Sequence, residues 1–592
     1  MTGAGRGVLR RVRGSQAADA GAVAIIVALM TPVLLGFCAL AVDIARWYVE
    51  AERVQKVADA AALAGVVYLP QDFAKGKATA LSVAASNGYA PSATVSVDVR
   101  VGARPSQLEV TVASTVTNAF GQLLGFPTTT IARTAVSDYN GPAPMGSPCW
   151  AFGNEPDPLG QSRPSNCPQN PNFWATIHGP EVDKTQGDQF STRYCAGGES
   201  GCSGSTNTEF DPNGYIWAIH VADVSRVSSV QVQLFDASYV KTGFYCDDRN
   251  LPAANAYRPN GTAENPYVSD ARTRYAPGTQ TRPTAYCPGD GDYASNRTTP
   301  TTTTFVLRSP VSTQNPLQAP VIGTCERQFF GWNDPASLST VLDSRRTPAA
   351  TSITDRNHYQ PQLAETFHRW TTLCTIPGPL QQGDYYLQVR TDVPYGAPTS
   401  AWSAPGDNSS EHGQGANRFS IRAIVSGDPN AVSIGSLQHM PIFANDPNNS
   451  TATFNLIRVL PGAAGKVIKF TFFDVGDAAG NGTASVAVKA PLEATGSNIN
   501  SASDTISTCS GVDWNNSAQT LSGCVRGGIT SSTWNGKSYT IYVPIPNDYT
   551  CNYGSLSGCW YRVQVGFPTG TLLTDATTWS ASITGDPVRL VK

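Results

Sequence analysis

Gly21-Ala-Val-Ala-Ile-Ile-Val-Ala-Leu-Met-Thr-Pro-Val-Leu-Leu-Gly-Phe-Cys-Ala-Leu-Ala-Val42 is a run of 22 residues without a charge. As a helix it is about 33 Å long, enough to cross a hydrocarbon core of about 30 Å. Pro32 is no obstacle, because membrane helices tolerate proline better than soluble ones do. Arg6, Arg10, Arg11 and Arg13 precede the run. Asp43, Arg46, Glu50, Glu52, Arg53, Lys56 and Asp59 follow it with mixed sign. This asymmetry predicts a cytoplasmic basic segment at 1–19, a transmembrane helix at 20–42 and all later residues outside. Ala39-Leu40-Ala41 has the form of a signal cleavage site, but the run exceeds a signal h-region of about 7–15 residues. A lipoprotein at Cys38 is disfavoured by the bulky Phe37. An uncleaved anchor is expected.

The pattern continues past the span. Ile44, Trp47, Tyr48, Ala51, Val54, Ala58, Ala61, Gly65 and Tyr68 recur at three- and four-residue steps, with charges mostly between them. That predicts an amphipathic stalk helix over 43–70, stopped at Pro70. Its stripe is small-residued in Ala58-Asp-Ala-Ala-Ala-Leu-Ala-Gly65, and small residues let helices approach closely. The stripe can pack on its own domain, or on copies of itself and partner subunits.

Arg13-Gly14, the run Gly21–Phe37 with Ala41-Val-Asp43, and Gln55-Lys-Val-Ala-Asp-Ala-Ala-Ala-Leu-Ala-Gly65 together resemble the TadE/TadG-like family of Tad (Flp) pilus assembly, over about residues 15–140. The resemblance implies a bitopic membrane protein with its bulk outside, associated with pilus and secretion subunits through the 20–70 helix. Gly14-Ser15 is similar to a prepilin processing site, although Asp19 stands where pilins carry Glu. Larger relatives often carry a domain with an Asp-x-Ser-x-Ser metal motif. Asp407-Asn-Ser-Ser-Glu411 comes nearest and lacks the last Ser, so that metal-dependent adhesion role is not carried over.

The 592 residues include only 14% charged side chains against 41% hydrophobic, with formal net charge -3. Disorder requires the opposite balance, and nucleic acid as main partner requires clustered Lys and Arg. The expected class is α+β, mainly β. A small α/β module spans 71–142, with strands at Thr94–Val101, Leu108–Val112 and Thr130–Val136 and a short helix at Phe120–Phe126. Beyond Cys149, period-two segments at 230–234, 385–389, 419–423, 468–472 and 561–565, punctuated by Gly, Pro, Asn and Asp, suggest β-sandwiches.

Gln231-Val-Gln-Leu-Phe-Asp236 matches Lys469-Phe-Thr-Phe-Phe-Asp474, and Asp384–Val389 matches Trp560–Val565. The region therefore divides into two related, disulfide-rich, jelly-roll-like sandwiches at 147–425 and 426–592. The first carries a long insertion over about 243–370, in which the Thr-rich tract 298–304 reads as an extended surface loop.

Of 13 cysteines, Cys38 lies in the span and twelve lie outside. Without a C-x-x-C pair, zinc and thioredoxin-type sites lack support. Six disulfides are the economical alternative, and sequential pairing gives 149–167, 195–202, 246–287, 325–374, 509–524 and 551–559. Sequence alone leaves the connectivity open.

No catalytic motif appears: the six His form no close pair and no G-x-S-x-G elbow is present. Asp474-Val-Gly-Asp477-Ala-Ala-Gly-Asn481 follows a predicted strand and offers oxygen ligands of the kind calcium takes, though a plain turn explains it too. Asp290-Gly-Asp292 is a weaker second candidate. Trp150, Trp217, Trp402, Trp534 and Trp560 would line a surface-glycan face if exposed, but such residues are more often core. The expected function is a membrane-anchored pilus-assembly or envelope structural protein that binds and scaffolds. The alternative is a surface-anchored carbohydrate-binding or carbohydrate-active protein.

Overall fold

The computed structural model describes residues 16–69, 73–103, 107–139, 145–154, 167, 173–241, 290–292, 299–310, 316–343, 346–367, 369–376, 378–407, 412–445, 451–569, 573–584 and 588–590. The chain forms two compact units, residues 1–141 with 586–592, and residues 142–585. Gly14, Ser15, Pro70, Cys246, Cys287 and residues 408–411 lie outside the described residues.

In the first unit, span and stalk are one helix, α1 (Gln16–Val66), with Pro32 inside it. The Thr31 hydroxyl donates to the Val27 carbonyl at 2.6 Å. The side chains from Val23 to Cys38 are all exposed. Further along, the stripe Val54, Val57, Ala58, Ala61, Ala62 and Val66 is buried. It packs with Leu108, Val110, Val112 and Ala135 of a sheet formed by β1 (Val95–Val101), β2 (Gln107–Thr117) and β3 (Thr128–Tyr139). The small-residue stripe is thus spent on its own module and is not left for partner subunits.

A second helix, α2 (Phe73–Ser86), buries Gly76, Ala80 and Ala84. It crosses α1 where both lack side chains. A Cβ on Gly65 would sit 2.5 Å from Leu108 Cδ2 and 2.6 Å from the Gly76 carbonyl oxygen. The fourth strand of the sheet comes from the far end of the chain: Val588–Leu590 pairs antiparallel with β3, Tyr139 opposite Val588. The expected second sandwich therefore does not extend to residue 592.

The second unit holds two 12-stranded sheets. Its first half contributes β4 (Phe173–His178), β5 (Tyr215–Val221), β6 (Val227–Phe235), β7 (Thr303–Arg308), β8 (Val321–Phe329), β9 (Trp370–Ile376), β10 (Gly383–Arg390) and β11 (Gly415–Gly427). Its second half contributes β12 (His439–Asn445), β13 (Thr451–Arg458), β14 (Val467–Phe473), β15 (Ala484–Lys489), β16 (Val525–Ile529), β17 (Ser538–Pro544), β18 (Trp560–Gly566) and β19 (Thr574–Ile583). One sheet runs β9-β6-β11-β4-β12-β19-β14-β17. In the other, β8-β7-β10-β5 is joined through Val432–Ser436 and Met145–Gly146 to β13-β18-β15, with β16 on β15.

Adding eight to each strand of the first half reproduces the order of the second in both sheets. The matched segments fall on corresponding strands: 231–236 on β6 and 469–474 on β14, then 384–389 on β10 and 560–565 on β18. Asp236 and Asp474 both adopt positive φ, 57° and 63°. Each donates its backbone N–H to the carbonyl just before the neighbouring strand, Arg369 at 3.1 Å and Lys537 at 3.0 Å.

The boundary expected at 426 does not separate two cores. β4 and β12 pair edge to edge, with Phe443 opposite Trp174, so neither half is left with that edge open to solvent. One continuous core runs through both halves. Across the sheets, Phe305 meets Phe419 with ring centroids 5.3 Å apart, and Phe454 meets Trp579 at 5.2 Å. The expected insertion at 243–370 supplies β7 and β8. Thr301–Thr304, expected on a surface loop, are buried, and the Thr301 hydroxyl donates to the Gly415 carbonyl at 2.6 Å. The Thr301 hydroxyl also accepts the Gly415 N–H, while those of Thr303 and Thr304 accept the side-chain amides of Asn417 and Gln328, roles composition does not reveal.

Among the described residues, five disulfides join Cys149–Cys167, Cys195–Cys202, Cys325–Cys374, Cys509–Cys524 and Cys551–Cys559. Cys325 and Cys374 lie on β8 and β9, in different sheets, and close a separation of 49 residues. Chain entropy gives that closure about 4 kcal/mol, against about 2.5 kcal/mol for the loop of Cys551–Cys559. Replacing Cys325 and Cys374 by Ala should therefore lower the denaturant midpoint of the second unit more than replacing Cys551 and Cys559. Equal losses would show that chain entropy does not govern what these bridges contribute.

Gly65→Ala should cost the first module about 1–3 kcal/mol, because a backbone carbonyl opposes the added methyl. Gly76→Ala should do the same, its Cβ falling 2.8 Å from the Gly65 carbonyl oxygen. The pair should be non-additive, since both part the same crossing. Proteolysis of the module in detergent, followed against denaturant, measures all three.

Candidate functional site

The end of the first module nearest the charge-free run is organised by Asp43, the residue after that run. Its side chain is 1% exposed. One carboxylate oxygen accepts the Ala119 N–H at 2.7 Å, and the other accepts those of Phe120 at 2.9 Å and Gly121 at 2.7 Å. Successive backbone N–H groups turned toward one anion form a nest. One turn further along α1, the Trp47 indole N–H donates to Asn118 Oδ1 at 2.8 Å. The Asn118 amide donates in turn to the Phe126 carbonyl at 2.7 Å. The loop between β2 and β3 is therefore pinned to the helix where its hydrophobic run ends. Within it, Gly121–Leu124 forms a 3-10 turn closed by Gly125 at φ 86°. The Asp43 partnership spans 76 residues, so no local motif announces it.

Residues 21–72 match the family model described as "Putative Flp pilus-assembly TadE/G-like". The match covers the apolar run, Asp43 and the buried stripe. No curated protein and no solved structure matches the chain.

In the second unit the calcium candidates do not converge on an open loop. Asp474 is buried, Asp477 is half-buried and Asn481 is exposed. Asp474 Oδ1 accepts the Gly536 N–H at 2.9 Å, while Oδ2 is buried without a hydrogen-bond partner. A third carboxylate missed by sequence reading, Asp575 of β19, accepts the Ala478 N–H at 3.1 Å. It lies about 100 residues away in sequence, so spacing could not reveal it.

The segment 183–209 from the first half reaches this region. Ser200 N–H donates to the Gly536 carbonyl at 2.9 Å, and Gln189 N–H to Thr578 Oγ1 at 3.0 Å. The segment is braced by Lys184, fully buried, which donates to the Ser200 carbonyl, Asn207 Oδ1 and Glu209 Oε2. Burial holds the Asp575 carboxyl up at about 8. Burial, with the Asp477 charge beside it, raises Asp474, and burial raises Asp477 as well.

Asp290, of the weaker candidate, is a structural acceptor. Its oxygens take the Val240 N–H at 2.7 Å and the Arg418 N–H at 2.9 Å. Among the described residues, three potential metal-ligand atoms come within 4.8 Å only at Cys195, Glu199 and Cys202. Both sulfurs there are tied in a disulfide.

The described histidines are dispersed. His220 pairs with Asp384 at 2.7 Å, His358 with Asp355 at 2.7 Å and His412 with Glu181 at 2.6 Å. Burial holds His178 and His439 down at about 4. His439 Nδ1 lies 2.9 Å from Ser580 Oγ, its cross-strand neighbour. The cleft beside it is about 240 Å³, below the roughly 300–1,000 Å³ of ligand pockets. Trp150, Trp217, Trp534 and Trp560 are buried, so these four rings do not form an exposed glycan platform, and Trp402 is half-buried.

The raised aspartates set a pH dependence. Unfolded, they titrate near the ordinary value of about 3.9. Between that value and about 8 the folded chain holds a proton on Asp575 that the unfolded chain has released. This group's contribution therefore falls as pH rises through the window and is flat above it. Asp575→Asn removes that loss. Relative to the unsubstituted chain, the variant's Tm should rise between pH 5 and pH 8, by an effect on the order of a few kcal/mol. A difference independent of pH would refute the assignment.

Proposed function

We propose that this is a single-pass envelope protein of a pilus-assembly or secretion apparatus, acting through binding and scaffolding without catalysis. One observation carries the reading. The family match over 21–72 coincides with a helix that runs unbroken from the charge-free span into the core of the first module. The arginine cluster before the span supports a cytoplasmic N-terminus with both units outside. The disulfides fit an oxidising compartment. The duplicated eight-strand, two-sheet order supports reading the outer unit as two jelly-roll-like layers in tandem, a rigid body suited to presenting a surface.

Contacts with other pilus or secretion subunits fall to the exposed apolar face of α1 and to the outer unit, because the 58–65 stripe is already occupied. We retain calcium as a proposal at Asp474, whose partnerless oxygen, with Asp477 beside it, would serve as a ligand. Calcium should then raise the Tm of the full chain at pH 8, and Asp474→Asn should abolish the rise. An unchanged melt removes calcium from the reading.

Protease added to cells with a permeabilised wall should digest the chain beyond residue 70 and spare a tag placed before Arg6. Protection of the whole chain would overturn the orientation. Deleting the gene should remove surface pili, with the intact chain restoring them. Unaltered piliation would overturn the pilus role.

A further inference from the structure

Three stretches of 20 or more residues lack charge in this module; setting aside residues 78–97, two of them, distant in sequence, are brought together. The first is the span, Gly21–Val42. The second runs from Val110 through Ala132, the end of β2, the connecting loop and the start of β3. The Asp43 nest brings them together: it fixes the backbone of residues 119–121 beside the first helix residue outside the run.

The loop so held turns apolar side chains outward. Phe120 is 41% exposed, Leu123 80% and Phe126 67%. A soluble surface rarely gathers such residues without an occupant. Just past the run, Trp47 and Tyr48 are of the amphipathic type enriched at membrane interfaces, and Tyr48 is 72% exposed. The carboxylate that fixes the loop is fully engaged by N–H donors, so it brings no bare charge to the hydrocarbon boundary. The module's described charged pair on this hairpin, Arg100–Glu109, lies at the opposite end of β2.

We propose that residues 118–127 form a lipid-contacting foot, held by Asp43 at the end of the span, which seats Phe120, Leu123 and Phe126 in the interfacial layer of the bilayer on the side of the folded units. The proposal rests on reading residues 20–42 as a membrane span. Its occupant is lipid, because the patch is continuous with the surface the span already presents to lipid. The foot would turn a single helix, free to swivel and tilt, into an anchor with a second point of contact. Asp43 is a positioning residue, and the apolar side chains make the contact.

The test uses the full chain in phosphatidylcholine vesicles, with an environment-sensitive fluorophore on a single unpaired cysteine. The positions are Cys38 itself and, in a Cys38→Ala background, Leu123→Cys or Val101→Cys. Nitroxide-bearing lipids, shallow or deep, act as quenchers. The Leu123→Cys label should blue-shift relative to the Val101→Cys label and lose intensity most with the shallow quencher. The Cys38 label should be quenched most by the deep one. Adding Asp43→Asn should weaken quenching at position 123 and leave Cys38 unchanged.

Quenching at Cys38 without quenching at position 123 would overturn the foot and leave the span standing. It would assign the patch to a protein partner. Absence of quenching at Cys38 would overturn the span, and the foot with it.

Discussion

A backbone amide in hydrocarbon has no water to bond, so a chain that crosses as a single segment must cross as a helix. In this protein the same requirement reaches beyond the membrane. The helix does not stop at the boundary but continues as α1 to Val66. Its second half is the layer against which the first module's sheet closes. Span and core therefore share one rigid element, and displacement of one is felt by the other. Asp43 marks where the two regimes meet. Before it the side chains from Val23 to Cys38 are exposed, and beyond it an alanine–valine stripe faces β2 and β3.

The outer unit rests on a different constraint, the cost of an open sheet edge. Two similar eight-strand halves each present a strand, β4 and β12, whose unpaired groups would invite foreign strands. Pairing these edges fuses the halves into continuous sheets with a common core. Their kinship survives in backbone detail as well as strand order. The left-handed aspartates at 236 and 474 occur at the same turn and make the same backbone bond. In the second half that position has also collected Asp477 and Asp575, and the segment 183–209 is built over it.

Much of this was legible from residue order. The span, the stalk, the strands of the first module and the five clean period-two segments all follow from hydropathy patterning, which local structure obeys. The short match between 231–236 and 469–474 marked a true correspondence of strands. What escaped was decided by distant partners. α2 was not read as a helix because its packing stripe is Gly76, Ala80 and Ala84, residues with almost no hydropathy signal. Thr301–Thr304 looked like part of a loop because their burial cannot be inferred from composition. The boundary at 426 failed because edge pairing is a tertiary event. The three N–H donors on Asp43 come from residues 76 to 78 positions away.

The strand Val588–Leu590 completes the first module's sheet beside β3, across more than four hundred residues of chain. Contacts that distant are slow to form, because a long loop must close before they reward the chain. During synthesis, α1, α2 and three strands are available long before the fourth. Until it arrives, the outer edge of β3 is an open template. The module therefore passes through a form with an unsatisfied edge before the tail caps it. A chain that stalls in the outer unit would stay in that form, adhesive along β3, which gives quality-control machinery a physical mark of incompleteness.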